Sequence, residues 1–481
     1  MKSKIILLVL GSSMLAHTSC KKSTLTQDSQ LKSRSLSSGN LANSVYSSNL
    51  IMTEQGFLDV LNDISSTPAA LQLITNTVSN PAKAALSVVP SPVSSLTDSQ
   101  TSAKVKADGD RIYKTALQSF LFQNSDSSGI YRDKARDILL AWVNANNVAT
   151  THTPNESIYQ GFYEGYSLIR AFIDTDSKTA IDNWFRKKYI VFKNTASRAN
   201  NWETIRGWLM LNIGYTLNDP AYITESKNVI YTHFDKDTRV DGASVDFLGR
   251  DAFAYHAYNL AFIGRILRII DIHNGRIESS GLIYKRVTKW NSEVTGGTIA
   301  EQIKFWTPYI VDPANNVHLE FVNTEWAPDK TRSDYNKPYN AAGTYYALDQ
   351  MVYAMKNQIN AIYSIAAPNR TKYNSGLDYY LNSFGFTPEE LSGTQVYIYA
   401  DENYLKLGKA LSPGNYTMTQ LQALGITNDA ISSVGVPDGM KITLYEHNNF
   451  TGASISLTKH SPILSAVGFN DKASSIKVEK L

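Results

Sequence analysis

Cysteine is nearly absent: Cys20 is the single thiol in 481 residues. One thiol excludes an internal disulfide, a zinc ribbon and an iron–sulfur cluster. A surplus of either charge is also missing, with 46 Lys and Arg against 43 Asp and Glu, a formal charge of +3. Nucleic-acid binders that work by phosphate neutralisation show a strong basic excess, so no nucleic-acid partner is expected. No apolar run reaches the ~20 residues of a permanent membrane span. No Gly-rich phosphate loop is present, so no nucleotide or redox cofactor is expected. Tyrosine, by contrast, is plentiful, 28 against 17 phenylalanines. That balance suits surfaces that are apolar and hydrogen-bonding together, such as sugar clefts. The length is enough for more than one folding unit, each with a core of its own.

The N-terminal residues 1–19 combine Lys2 and Lys4 with the apolar run Ile5–Leu10 and small residues up to Thr18-Ser19. They read as a signal peptide. Cys20 directly after them resembles a bacterial lipoprotein cleavage site, although His17 stands where an aliphatic residue is usual. The resemblance implies an exported lipoprotein of the periplasm or outer membrane and cell surface, held to the membrane by a lipid on Cys20. Plain secretion is the alternative. Lys21 to Ser48 is Ser/Thr/Lys/Gln-rich without apolar periodicity and reads as a tether. Residues 20–104 are expected to hold the anchor, this tether and an N-terminal segment with weak helical patterning over Ile51–Val89, ending in the loop Pro90–Ser95.

Residues 105–385 carry an almost wholly helical signal. Arg111–Phe122, Arg132–Asn146, Ser157–Ile173, Lys178–Phe192, Asn201–Leu217, Ala221–Phe234, Asp251–Ile272 and Ala342–Ile365 place apolar residues at three- and four-residue spacing. Short breakers such as Asn218-Asp219-Pro220 imply antiparallel hairpins, and helices closing on themselves give an all-α (α/α) toroid with a central cleft. After a boundary near Gly385–Gly393 the period switches to alternation, so 393–481 should be a small all-β domain.

Within that β domain, Asn428-Asp429-Ala430-Ile431-Ser432-Ser433 recurs as Asn470-Asp471-Lys472-Ala473-Ser474-Ser475, and Tyr445-Glu446 opens a tight turn ending at Gly452. The duplication resembles the β/γ-crystallin fold, two Greek-key halves in one sandwich, with Lys406 where that family has glycine. The resemblance implies two Ca²⁺ sites: Asn428, Asp429 and Ser432 for one, Asn470, Asp471 and Ser474 for the other, each completed from the opposite half. Glu446 would contribute a carboxylate, and its counterpart Ala400 a backbone carbonyl. Such hard oxygens suit Ca²⁺, and so few acids imply a modest affinity, about 10⁻⁶–10⁻³ M. Turn capping alone is the competing reading.

In the helical region, Asn200-Asn201-Trp202-Glu203, Arg250-Asp251 followed by Tyr255-His256-Ala257-Tyr258, and His318-Leu319-Glu320 stand out. Together they resemble the alginate-lyase-like family of α/α-barrel polysaccharide lyases. The implied reaction is β-elimination on an acidic, uronate-bearing polysaccharide such as alginate. The C5 proton becomes acidic once donors neutralise the neighbouring carboxylate, and a base then takes it while an acid protonates the leaving oxygen. A tyrosine can do both if a nearby cation lowers its pKa from about 10.

At ~100° per residue, Asp251, Tyr255, Tyr258 and Phe262 share one helical stripe, so the tyrosine pair should face the cleft. The resemblance implies Tyr258 as base and acid, Arg250 and Asn201 at the carboxylate, and His256 as partner. Trp202, Tyr255, Asn200, His318 and Glu320 would bind substrate. Trp202 departs from the family, whose true alginate lyases place a histidine there, and His152, His233 or His256 are the candidate replacements. Plainer readings stand beside these: Asn200 and Glu203 as a capping box, the tyrosines as core aromatics, Arg250 paired with Asp246 or Asp251, and His318 as a loop residue. A non-catalytic glycan-binding lipoprotein, or a glycoside hydrolase using Asp246 and Asp251, are the competing functions.

Overall fold

A computed structural model describes residues 48–96, 99–149, 152–285, 296–384, 395–400, 409–437, 439–459, 461 and 463–481. The expected leader, the lipidated Cys20, nearly all of the tether and the boundary at 385–393 lie outside the described residues. No helix among the described residues is long and apolar enough to cross a membrane.

Helices dominate as far as Asn382: α1 Glu54–Ser66, α2 Pro68–Ile74, α3 Asn80–Ala85, α4 Ser99–Leu121, α5 Ser128–Ala145, α6 Gln160–Ile169, α7 Thr175–Asn194, α8 Asn201–Leu217, α9 Pro220–Phe234, α10 Val245–Arg250, α11 Phe253–Asn274, α12 Arg276–Tyr284, α13 Ile299–Val311, α14 Tyr345–Ala366 and α15 Leu377–Asn382. They build an α/α architecture in two layers. In the inner layer α4 packs on α6, α6 on α8, α8 on α11 and α11 on α14, while α5, α7, α9, α12 and α13 lie outside them. The sequence explains which helices go inside. On α8 every described side chain but Trp202 is buried, from Asn201 to Leu217. A helix apolar on all sides can only be an inner one. Its ends are set by Asn200, whose side chain accepts the Trp202 N–H, and by Asn218 in the left-handed region at φ 52°. Asp219 then caps α9 ahead of Pro220 at its first position.

The helical core begins before residue 105. Leu50, Ile51, Phe57, Val60 and Ile74 join the same cluster of buried side chains as Trp208 and Leu260. Helix α13, which the periodic segments did not mark, starts at a full capping box formed by Thr298 and Glu301.

From Val396 onward the chain turns to strands: β1 Val396–Tyr399, β2 Lys409–Leu411, β3 Gly414–Tyr416, β4 Ser433–Gly435, β5 Met440–His447, β6 Thr451–Leu457 and β7 Ser475–Lys480, with helix α16 Met418–Ala423 between β3 and β4. One sheet has the order β2-β1-β4 and the other β3-β7-β5-β6. Strand β3 of the first half thus pairs with β7 of the second, Tyr416 opposite Ile476. Ser461 of the second half bridges in turn to Val434 of the first. This exchange makes the two halves one sandwich around Val396, Ile442, Leu444 and Ile476.

The inner helices approach so closely that side chains are excluded at their crossings. A Cβ added to Gly264 on α11 would lie 2.8 Å from the Gln350 backbone on α14, and one on Gly161 would meet the carbonyl of Gly109. We expect Gly264→Ala to force α11 and α14 apart at a cost of about 1–3 kcal/mol. The check is a thermal melt, in which an unchanged midpoint would refute the crossing.

Candidate functional site

A cleft of about 990 Å³ opens against the inner layer. Its wall is built from the start of α8 (Asn200, Asn201, Trp202), from Asp246 and Arg250 on α10, and from Tyr255 and Tyr258 on α11. Trp326, Arg332, Glu325 and Tyr346 face them from later segments. A second cavity of about 460 Å³ shares Tyr258 and Tyr346 with the first and runs on to Arg265 and Phe262. The structure therefore gathers Asn200, Asn201, Trp202, Arg250, Tyr255 and Tyr258, which lie up to 58 residues apart, on one surface.

Each of these side chains has a distinct setting. Asn200 accepts the Trp202 N–H at 3.2 Å and so caps α8 as well as lining the cleft. The expected capping box is not completed, because Glu203 turns away to Arg206, which donates through Nε at 2.9 Å. The Asn201 side-chain amide makes no hydrogen bond among the described residues and is left for a ligand. Trp202 presents its indole beneath the Arg198 guanidinium, 5.1 Å from the ring centroid. Arg250 is paired, but with neither Asp246 nor Asp251. Its Nε donates to Asp329 Oδ2 at 2.5 Å, and it also lies 3.8 Å from the Tyr255 ring centroid and 4.7 Å from that of Trp326. That partner is 79 residues away in sequence, beyond any local spacing rule.

Burial sets the titration of the acids and phenols. The Tyr258 phenol is raised above its usual 10 by burial, with Ser157 and the Arg265 charge pulling the other way. Burial pushes Tyr346 up to about 12. Asp246 is 3% exposed, with Oδ2 buried and unpaired, and burial together with the neighbouring Asp237 carboxyl holds its pKa well above the usual range.

Three expected site residues are not at the cleft. His256 is fully buried, on the opposite side of α11 from Tyr258. Its Nδ1 meets the Ser244 hydroxyl at 2.8 Å and its Nε2 donates to the Gln302 carbonyl at 3.1 Å. Ser244 in turn accepts the Phe247 N–H and caps α10, so His256 steadies the helix that carries Arg250. Glu320 is 3% exposed and accepts the N–H groups of Phe253 at 2.9 Å and Ala254 at 3.0 Å, capping α11, and burial pushes it up to about 7. His318 donates to the Asp251 carbonyl at 3.0 Å and packs on Phe247 and Phe253. All three are struts of the fold: Glu320 satisfies free amides at the start of α11, and the two histidines donate to the carbonyls of Gln302 and Asp251. Asp251 also leaves the expected stripe: it ends α10 in the left-handed region at φ 49°, and its carboxylate accepts the Asn323 N–H at 2.6 Å.

Neither His152 nor His233 reaches the cleft in place of the missing histidine. His152 packs edge-on against Phe192 with both ring nitrogens unpaired, and His233 bonds Thr204 at 2.7 Å. What sequence reading missed are Arg265, Tyr346, Trp326 and Arg332. Arg265 was open to detection, since it follows Tyr258 by seven residues on the same helix and shares its face. The others stand on segments joined to the site only by folding.

In the β domain the repeated turns come together across the halves. Asp429 and Asp471 occupy the same left-handed conformation, φ 51° and 50°. Asn428 donates to Asp429 at 2.7 Å and Asn470 to Asp471 at 2.8 Å. The Ser432 hydroxyl lies 3.0 Å from Asp471 Oδ1 and 2.9 Å from the Ala400 carbonyl, whereas Ser474 lies 3.3 Å from Asp429 Oδ1. Each hydrogen-bonded oxygen cluster thus takes its serine from one motif and its aspartate from the other. Glu446 accepts the Ala453 N–H at 3.3 Å beside the second cluster. Among the described residues no three His, Cys, Asp or Glu side chains converge. Carboxylate, hydroxyl and carbonyl oxygens with one buried, unpaired amide oxygen, Asn470 Oδ1, fit a hard cation held by few charges.

Comparison with known proteins matches both regions. Residues 91–316 fit the family model described as alginate lyase, and residues 441–480 that of the beta/gamma crystallins. Development-specific protein S of Myxococcus xanthus is 40% identical over 83 residues, 17% of this chain and 47% of that protein. A homolog of protein S from the same organism is 42% identical over 69 residues, 14% and 38%. The chain spans about half the length, or less, of these curated relatives. A betagamma-crystallin domain from Clostridium beijerinckii is 39% identical, covering 18% of this chain and 95% of that one at a TM-score of 0.17. One from Flavobacterium johnsoniae is 36% identical, covering 18% and 93% at 0.17.

The buried histidine makes a pH test. Burial lowers His256 from 6.5 to about 4, so it is neutral in the folded protein and protonates more readily when unfolded. Its contribution is complete above about pH 6.5 and is lost as pH falls through 4. His256→Asn should flatten the fall in melting temperature between pH 6.5 and 4 relative to wild type. Equal slopes would show that His256 is accessible to protons in the native state.

Proposed function

The chain joins an alginate lyase family domain at residues 91–316 to a β/γ-crystallin domain matched at 441–480, and from that premise we infer that it is an exported polysaccharide lyase. It acts by β-elimination on a uronate-bearing glycan such as alginate. The observation that carries this reading is the cleft itself, where two phenols, an unpaired amide and guanidinium groups share one surface with two indoles. Trp202 and Trp326, the latter 53% exposed, offer flat apolar platforms for sugar rings. Arg198, Arg250 and Arg332 line the cleft beside Asp246 and Glu325, three guanidinium groups to two carboxyl groups, and burial favours the protonated form of Asp246. That field favours an anionic polymer.

Tyr258 takes the C5 proton and returns one to the leaving oxygen, with Asn201 donating to the uronate carboxylate. Arg250 supplies positive charge above Tyr255. The hydrolase reading is disfavoured because its two acids are separated in role: Asp246 lines the cleft, while Asp251 is spent on the Asn323 amide. A non-catalytic binder remains the second reading, motivated by Trp202 in the histidine's place. The lipid on Cys20, proposed from sequence, would keep the enzyme at the membrane where polymer arrives.

For the β domain we propose two Ca²⁺ sites, one at Ser432, Asp471 and the Ala400 carbonyl, the other at Ser474, Asp429 and Glu446. The ion supplies a charge that ties the two halves together.

Formation of unsaturated uronate, followed by ultraviolet absorbance on alginate and glucuronan, tests the activity. Tyr258→Phe should lower turnover about 10²–10⁴-fold. Because burial raises the Tyr258 pKa, the base form grows with alkalinity, and kcat/KM should climb about tenfold per pH unit from pH 7 to 9. A flat profile, or an active phenylalanine variant, removes Tyr258 from the role. Reducing ends without absorbance would instead establish a hydrolase.

Calcium at 100 times its Kd should stabilise the β domain by about 2.7 kcal/mol. In calorimetric titrations, Asp471→Ala and Ser432→Ala should be non-additive with each other, and Asp471→Ala additive with Ser474→Ala. The reverse pairing would undo the crossed assignment.

A further inference from the structure

We propose that Arg265 is the side chain that binds the uronate carboxylate at the reacting sugar, filling the place left by the histidine that Trp202 replaces. This rests on the lyase reading above. Arg265 lies two helical turns beyond Tyr258 on α11, and both line the cavity that meets the main cleft at Tyr258 and Tyr346. A sugar seated against the Tyr258 phenol therefore has a guanidinium on one side and the Asn201 amide on the other.

The guanidinium of Arg265, like that of Arg198 over the Trp202 ring, makes no ion pair among the described residues. Its Nε is buried without a hydrogen-bond partner, and no carboxylate among the described residues lies within ion-pair distance. Its neighbours are committed elsewhere. Arg268 donates to Glu164 at 2.9 Å, Arg250 is bound to Asp329, and Arg332 donates to Asp334 at 2.9 Å. The acids facing the cavity are engaged as well: Glu164 accepts from Arg268 and Gln160, and Asp378 accepts from Gln350 at 2.7 Å.

What holds Arg265 is aromatic. Its guanidinium carbon sits 5.2 Å from the Phe262 ring centroid and 5.6 Å from that of Trp208. These aromatic contacts use no N–H donor, which leaves the fork free for a planar carboxylate. Glu164 and Asp378 act on the Arg265 charge only from beyond ion-pair distance, and a buried guanidinium without a directly bonded partner is costly, so a carboxylate arriving with the substrate supplies that contact. The chemistry follows from that contact. Neutralising the carboxylate acidifies the adjacent C5 proton, and the same charge favours the phenolate of Tyr258.

The experiment reads the carboxylate contact apart from turnover. Saturated tetrasaccharides of alginate and of glucuronan, and their methyl esters, are titrated calorimetrically into the full-length wild type, Arg265→Gln and Arg265→Lys. Wild type should bind the acid form of one sugar at least tenfold more tightly than its ester. Arg265→Gln should bind acid and ester alike, and Arg265→Lys should recover part of the preference. Melting curves confirm that each variant is folded, and Arg265→Lys decides the matter if the glutamine variant is not. An acid-over-ester preference that survives in both variants, or is missing from wild type, overturns the role of Arg265 while leaving any absorbance-detected lyase activity standing. A wild type that neither cleaves nor binds these sugars overturns the lyase reading and this inference together.

Discussion

The burial of α8 and α11 on nearly every side governs the helical domain. Two helices without a solvent face must satisfy each of their polar groups from within, and the site is what remains at the edge of that requirement. Thr204 donates to Asn259 at 2.6 Å, Asn259 to Asp237 at 2.9 Å, and Gln302 to the same carboxyl at 2.9 Å. His256 and Glu320 belong to this internal accounting, which is why residues with the chemistry of catalysts serve as caps and struts. Only where α8 begins and α11 turns toward the cleft do Asn201, Tyr255 and Tyr258 escape it.

The same dryness sorts the charges. Burial pushes Asp237 up to about 7, raises Asp246 well above the usual carboxylate range, and lowers His233 to about 4. Burial thus disfavours the charged form of these acids and of the histidine, while the arginines at the rim keep their charge. Backbone geometry adds to the preorganisation. Phe321 is held at φ 67°, a conformation rare for a bulky residue, donates its N–H to the Asp251 carbonyl at 2.7 Å and packs edge-on against Tyr255.

The β domain solves a different problem with the same economy. Its halves are too small to close a core alone, so the first lends strand β3 to the sheet of the second, Ser461 of the second bridges back to Val434, and each oxygen cluster draws on both halves. A cation there would bind two half-domains with one set of ligands, and the crossed ligand pairing follows from the strand exchange.

The amino-acid order by itself determined the helical and β regions, the breaker at Asn218–Pro220, the paired Asn-Asp turns and the tyrosine stripe of α11. Those features are periodic or local, and local sterics and hydrogen bonding decide them. The capping box of α13 was equally local, at Thr298 and Glu301, and was there to be read. Only the tertiary structure decided that Arg250 answers to Asp329, that Ser432 faces Asp471, that His256 holds the cap Ser244 while Glu320 caps α11, and that Arg265 stands unpaired beside Tyr258. Each of those outcomes depends on which distant partner arrives first within hydrogen-bonding reach and on how much water is left, and neither is encoded in spacing along the chain.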